Sequence, residues 1–420
     1  MSNSKILFSA PVNAPTVQNA AAALYDAGLL GAYYTNFGLP DDGRVLRTAT
    51  ALDHLLGTRL TPQLRRRAIT EIPYHFVHLN PLWEVLRTVL SRSNFNEPFV
   101  RTVEAISLHY HDRHVSRRVK QFAAVYAYNR AAVESFRAAK KAGAFRILAV
   151  RDLEPNFYGA MRDQEYEKYP LLQTTEQKRF DAIENSLTAA SKAEWDLADL
   201  VVMNSNMCRE SYASYGDTQK VRVIPFGFPT PLDDSLFVKQ PNNPVLRVMW
   251  SGTFSMRKGA HYLMQALKLL PQSVEIQLAV FGKQELPRAF FAEADRPIHI
   301  NATVPRAQLF EEYRSADVLV LPTLADTFGM VISEGMSQGL PVITTPRAGA
   351  SQFIRSGENG IVVPPCNAEA LAEALLWCAE NRTRLDDMRA EAFRTASSWQ
   401  WSDFRRTFGQ VIGDAIRQHH

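Results

Sequence analysis

Cysteine is nearly absent from this chain. Cys208, Cys366 and Cys378 are scattered and odd in number, which excludes a disulfide framework and any zinc-ligand spacing. That usage fits a reducing compartment, so a cytoplasmic protein is expected. Long apolar runs are missing as well. No stretch approaches the ~18 residues of a membrane span, and the first apolar run, Ile6–Ala10, is too short for the core of a signal peptide. Charge of one sign is also lacking: 47 Lys and Arg against 43 Asp and Glu leave a net +4. That balance argues against a nucleic-acid binder, which needs a concentrated basic face. It remains compatible with anionic substrates or an anionic membrane surface. There is no repeat at a fixed period and no low-complexity tract.

What is present is alternation. At 420 residues two domains are expected, and short apolar runs alternate with helical patterns, the signature of parallel α/β units. Strands are predicted at Ile6–Ala10, Ala32–Thr35, Ala123–Ala127, Arg146–Val150, Leu200–Met203 and Val221–Ile224, and an irregular helical stretch at Leu52–Arg92. The run Pro225-Phe-Gly-Phe-Pro-Thr-Pro, continuing to Pro244, cannot continue a helix or a central strand and is read as a linker. Its second side restarts with strand Leu246–Trp250, helix Ala260–Leu270 and strand Ile276–Phe281. Further units follow: Ile298–Asn301, Arg306–Ser315, Val318–Leu321, Gly329–Gln338, Pro341–Thr344 and Ala368–Glu380. The expected division is a first domain over 1–228, a linker over 229–244 and a second domain over 245–395. A final helix, 396–420, is expected to pack back on the first domain.

Two segments carry chemistry. In Val248-Met-Trp-Ser-Gly-Thr-Phe-Ser-Met-Arg-Lys-Gly259 a strand ends, turns, presents Arg257 and Lys258, and opens a helix. Ligands of open α/β sheets sit beyond the carboxyl ends of strands. Two cations at a helix start oppose the helix dipole, a conflict that a bound anion relieves. The bland alternative is a solvated Arg-Lys pair. The second segment, Ala316 to Ile343, runs from a buried strand into a loop with Asp326, and the amides of Phe328, Gly329 and Met330 then open a helix. Such amides form an anion site. Glu334, on an otherwise apolar helix, suits two vicinal hydroxyls, since a carboxylate only accepts. Asp326 reads equally as an N-cap.

The stretch Asp326-Thr-Phe-Gly-Met-Val-Ile-Ser-Glu334 resembles the acidic-x7-Glu signature of retaining GT-B glycosyltransferases of family four, the group 1 glycosyl transferases. The resemblance extends through Gly252 to Gly259, through Gly339-Leu-Pro-Val-Ile, and through Gly357-Glu-Asn-Gly-Ile-Val-Val, most of residues 245–380. It implies two doubly wound Rossmann-like domains facing a cleft. By it, Gly252, Thr253, Arg257 and Lys258 would hold a nucleotide-sugar diphosphate, Glu334 the ribose, and the Phe328–Met330 amides the phosphate and sugar. Gly282 matches a glycine near the nucleotide, with a simple turn as its bland reading. The family's first acidic residue is usually Glu; here it is the shorter Asp326. The implied reaction retains anomeric configuration and uses no metal and no cofactor beyond the donor. The acceptor stays open among a glycan, a lipid-linked glycan and a small molecule, and base choice would rest on backbone near Ile298–Val304. Two other readings stay open: a nucleotide-sugar epimerase or phosphorylase of the same fold, and a non-catalytic nucleotide-sugar-binding subunit.

The first half departs from that pattern. Strand one ends in Ala10-Pro-Val-Asn rather than a glycine pair, and Tyr126 and Tyr128 stand where a histidine loop is common. Asp152 is the candidate polar group facing the cleft; its bland reading is a turn carboxylate paired with Arg151. Ser205 or Asn206 is expected to cap a helix. His109, His111 and His114 invite a metal reading, set against a solvated amphipathic helix. Arg65-Arg-Arg67 with Trp83, Leu86 and Leu90 reads as a helical insert on the N-domain, or as peripheral contact with an anionic membrane.

Overall fold

The computed structural model describes residues 4–40, 50, 68–92, 97–174, 177–178, 181, 188–230, 244–291 and 296–419. Two parallel sheets organise them. The first has strands β1 (Ile6–Ser9), β2 (Leu30–Thr35), β5 (Val77–Leu79), β6 (Ala124–Tyr128), β7 (Phe145–Val150), β8 (Leu200–Met203) and β9 (Val221–Val223). Their order is β5-β2-β1-β6-β7-β8-β9, and a short pair, β3 (Leu39–Pro40) and β4 (Ala68–Ile69), stands apart. Alternation along β1 sends Ile6 and Phe8 into one buried layer and Leu7 into the other, as a sheet covered on both faces requires. The outer layers are helices α1 (Pro15–Asp26), α2 (Leu82–Arg92), α3 (Glu97–Ser116), α4 (Val133–Ala142), α5 (Pro155–Lys168), α6 (Thr188–Leu197) and α7 (Asn206–Ser211).

The second sheet is ordered β12-β11-β10-β13-β14-β15, from β10 (Leu246–Ser251), β11 (Ile276–Phe281), β12 (Ile298–Asn301), β13 (Val318–Leu321), β14 (Val342–Thr344) and β15 (Gly360–Val362). Helices α8 (Ala260–Leu269), α9 (Arg306–Ser315), α10 (Met330–Ser337), α11 (Ala368–Glu380) and α12 (Arg382–Ser398) flank it. In each sheet the first strand is central and the chain departs from it in both directions. The crevice beyond the carboxyl ends of β10, β11 and β13 is therefore a ligand position by topology.

Among the described residues, several connections tie the halves together. The last helix, α13 (Trp401–His419), buries Phe404, Phe408, Ile412 and Ile416 in the core of the first sheet, and its Arg405 reaches Asn19 at 2.8 Å and Glu71 at 2.5 Å. Beside it the chain crosses itself, Phe228 N donating to Trp399 O at 2.9 Å. In the opposite sense, Tyr166 on α5 and Leu172 beyond it pack into the core of the second sheet.

Several sequence expectations need correction. The stretch Leu52–Arg92 is not helical throughout: among its described residues are β4, β5 and α2. Between 175 and 195, Gln177, Lys178 and Asp181 are helical, and α6 begins at Thr188. Helix α12 and strand β15 were not foreseen as elements. Arg65–Arg67 and most of the expected linker lie outside the described residues.

Candidate functional site: a charged cleft between two sheets

Strand β10 ends at Ser251, and Gly252 and Thr253 turn the chain into a 3-10 turn, Met256–Lys258, before α8. Gly259 makes the junction at φ 80°, and a Cβ there would collide with the carbonyl of Pro322, which follows β13. The two loops are thereby locked together. Leu324 N and Thr323 Oγ1 both donate to Arg257 O at 3.0 Å. Above them, Gly282 follows β11, and Gly252 N donates to Phe281 O at 2.9 Å.

Lys258 and Asp326, 68 residues apart, form an ion pair. Asp326 is buried. Burial pushes its carboxyl upward, but Lys258 and then Arg257 outweigh that and hold it below the usual carboxylate range. Asp326 does not cap the helix. Gly329 occupies the N-cap of α10, and Asp326 Oδ1 instead accepts from Phe328 N at 3.3 Å. The Phe328 amide is thus already engaged, which corrects the expectation of a free donor there; the first amides of α10 itself lack an i−4 partner by helix geometry. Glu334, on the second turn of α10, lies 3.5 Å from Arg306 Nη2 and beside Tyr313. Burial raises its carboxyl above the ordinary value, against the pull of Arg306.

A cleft of about 1000 Å³ opens over these loops. Its second-sheet wall presents Thr253, Arg257, Lys283, Glu285 and Thr327, and its first-sheet wall Arg130, Arg151, Asp152 and Tyr158. Of the sequence candidates, Thr253, Arg257 and Asp152 therefore share one space. Lys258 and Asp326 adjoin the lining residues Arg257 and Thr327 in sequence but, like Gly252, Gly282, Phe328, Gly329, Met330 and Glu334, are not among the lining residues themselves. Asp152 pairs with Arg130 Nε at 3.1 Å and accepts from Asn129 Nδ2 at 3.2 Å, so its partner is not the Arg151 of the bland alternative. Arg151 lies 5.2 Å over the Tyr128 ring and donates to Thr16 Oγ1 at 3.0 Å. Tyr126 stacks on Phe8 at 5.0 Å and is buried; it serves packing.

The histidines divide, His109 exposed, His114 half-buried and His111 buried. His111 is buried on α3: its Nδ1 lies 2.7 Å from Asn36 Oδ1, an acceptor, so Nδ1 carries the proton and Nε2 accepts from Ser9 Oγ at 3.0 Å. Burial, then His114, lowers its pKa to about 3. Asp112 accepts from Glu134 N and Ser135 N at the start of α4. No group of three metal-ligating side chains occurs among the described residues, and no helix there is long and apolar enough to cross a membrane. On α2, Leu82 and Leu86 are exposed.

Sequence reasoning missed one cluster. His261 and Tyr262, in the first turn of α8, both bond Glu165 of α5, His261 Nε2 at 2.9 Å and Tyr262 Oη at 2.9 Å. A carboxylate from the first half of the chain thus stands beside the helix start whose two cations appeared unfavourable. Nothing in the local pattern around Glu165 announces a partner 96 residues away.

Residues 246–381 match the family model described as Glycosyl transferases group 1. A D-inositol 3-phosphate glycosyltransferase of Pseudarthrobacter chlorophenolicus is 26% identical over 223 residues, 49% of this chain and 53% of that protein. The lipopolysaccharide core biosynthesis glycosyltransferase LpsE of Rhizobium meliloti is 29% identical over 245 residues, 56% of this chain and 65% of its own length. The matched region thus spans about half to two-thirds of these relatives. Among solved structures, sucrose-phosphate synthase of Thermosynechococcus elongatus superposes with a TM-score of 0.62 at 18% identity, and Anabaena HepE in complex with UDP-glucose with 0.59 at 17%. Each alignment covers 99% of both chains. These structures give the fold, two α/β domains of GT-B type.

Proposed function

We propose that this chain, whose residues 246–381 match the group 1 glycosyl transferase model, is an enzyme that moves a sugar from a nucleoside-diphosphate donor to an acceptor, retaining anomeric configuration. The observation that carries the reading is the meeting of Arg257, Lys258 and the Asp326–Phe328 loop at the carboxyl ends of β10 and β13. Arg257 would hold the diphosphate by a forked, charge-assisted contact. Lys258 spends one of its three N–H groups on Asp326 and keeps two for a phosphate. Glu334 would accept from ribose hydroxyls, and the start of α10 would face the charge developing on the leaving group.

In the transfer, the bond from the anomeric carbon to the diphosphate oxygen breaks as the acceptor oxygen bonds that carbon on the same face. The acceptor proton passes to the departing diphosphate. Because the chain itself supplies cationic and amide donors, the proposal is metal-independent. Asp152 stands on the opposite wall as the polar group available to an acceptor. Two likenesses support a nucleotide-sugar partner: a neighbouring structure holds UDP-glucose, and the curated relatives are named glycosyltransferases.

The test is thermal shift and calorimetry with UDP and UDP-glucose, beside GDP and ADP counterparts. A nucleotide at 100 times its Kd stabilises the fold by about 2.7 kcal/mol. Arg257→Ala, on an exposed side chain, removes a charged hydrogen bond of about 1.5–3 kcal/mol, roughly ten- to hundredfold in affinity, while melting unliganded at the wild-type temperature. No shift with any nucleotide or nucleotide sugar at millimolar concentration sinks the proposal.

A further inference from the structure

The three carbonyls of the donor-loop residues Asp326, Thr327 and Phe328 are all occupied. Gly349 N donates to Asp326 O at 3.1 Å, and Ala350 N to Phe328 O at 2.6 Å. The middle carbonyl, that of Thr327, is taken from the other sheet: Ser205 Oγ donates to it. Ser205 is fully buried, and the same oxygen accepts from Cys208 N at 3.0 Å as the N-cap of α7. One hydroxyl thus uses its proton across the domain boundary and a lone pair within its own helix.

The surroundings are built for that contact. A Cβ on Gly349 would lie 2.5 Å from Ser205 Cβ and closer still to the Thr327 carbonyl oxygen, so only a glycine lets the three backbones meet. A trans peptide unit is planar, with its C=O and N–H opposed. Fixing the Thr327 carbonyl therefore fixes the Phe328 N–H, which faces Asp326 Oδ1, the partner of Lys258.

We propose that Ser205 is a positioning residue through which the N-terminal domain sets the Thr327–Phe328 peptide, and with it the Asp326–Lys258 pair, for the donor diphosphate. The inference rests on the donor-site reading above. It makes domain register a condition of donor geometry: if the walls separate, the loop loses one of its three anchors.

Ser205→Asp separates this role from capping, because aspartate is an equally good N-cap acceptor yet has no proton to donate at neutral pH. Hydrogen exchange followed by mass spectrometry should show exchange in the peptide spanning 324–332 rising at least tenfold, with 206–211 within twofold of wild type. Release of UDP from UDP-glucose should fall about tenfold in kcat, with the Kd for UDP within threefold. Ser205→Ala, which loses both bonds, should loosen both segments. Should Ser205→Asp fail to fold, Gly349→Ala, which keeps the Ser205 hydroxyl and wedges the contact apart, is expected to give the 324–332 signature. Unchanged exchange over 324–332 in the folded variants, or changes confined to 206–211, would overturn the inference. A wild-type protein that binds no UDP would instead overturn the functional reading, leaving the exchange result to stand.

Discussion

The two walls of the cleft hold charge in different ways. On the second-sheet wall Lys258 and Asp326 are paired with side chains 18% and 10% exposed, and loops from two strands are clamped around them. On the first-sheet wall Arg130 and Asp152 pair at 3.1 Å with side chains 27% and 47% exposed, on loops that water reaches. A buried pair is fixed in place and strengthened by its low-dielectric surroundings; a wet pair is weak and free to exchange partners. The first arrangement suits a ligand part that never varies, such as a diphosphate. The second suits a variable part. The difference is one of preorganisation, and it is open to attack by mutation.

The heaviest blow falls on the buried pair. Lys258→Ala leaves the Asp326 carboxylate without its partner, and breaking such a pair costs about 3–5 kcal/mol; the residual exposure of Lys258 places the expected loss at the lower end. Chemical denaturation should show it as a lower midpoint at unchanged slope. Adding Asp326→Asn removes the stranded charge while keeping an acceptor for Phe328 N, so the double variant should recover a large part of the loss. If Lys258→Ala is no less stable than wild type, the buried-pair half of the comparison is broken.

The contrast also explains what could be read from the chain alone. Strands β10 to β14 of the second sheet were legible to within a residue, since each is a short apolar run bounded by turn residues, and its site is written in contiguous stretches around Arg257 and Asp326. Helix α12 was not, because its buried face includes Arg389, which donates to Ala316 O at 2.7 Å, so the apolar period is interrupted by a charge. Strand β5 escaped because it is three residues long, with His78 and Leu79 exposed. The pairings of Ser205 with Thr327, Glu165 with His261 and Arg130 with Asp152 arise from docking of distant segments. No local spacing encodes them.

Away from the cleft, the first domain carries a buried neutral base that sharpens the comparison by a pH-dependent route. His111 takes up a proton near its ordinary value when unfolded but only at about 3 when folded, because burial opposes its charge. Between those values the unfolded chain binds more protons, so the stability that His111 confers falls as pH falls, by about 1.4 kcal/mol per unit below roughly 6.5. Glu194, pushed up by burial to about 7, tilts stability the other way over the same window. The wild-type curve therefore does not isolate either group. The difference in unfolding free energy between wild type and His111→Gln should shrink by about 2 kcal/mol from pH 6.5 to pH 5. A constant difference would mean that His111 titrates in the folded protein as it does in the unfolded chain.

The smallest effect is expected where the comparison predicts softness. Asp152→Asn keeps the size of the side chain and its oxygen for Asn129, and removes only the charge facing Arg130. An exposed pair of this kind is worth about 0–1 kcal/mol, so the melting temperature should move by a degree or two at most. Because Asp152 stands across the cleft from Arg257, the Kd for UDP should change less than twofold. If Asp152 meets the acceptor, turnover with acceptor should fall while acceptor-independent release of UDP from UDP-glucose does not. A loss of UDP affinity as large as that of Arg257→Ala would show that the first-sheet wall grips the donor too, and the division of labour between the walls would fail.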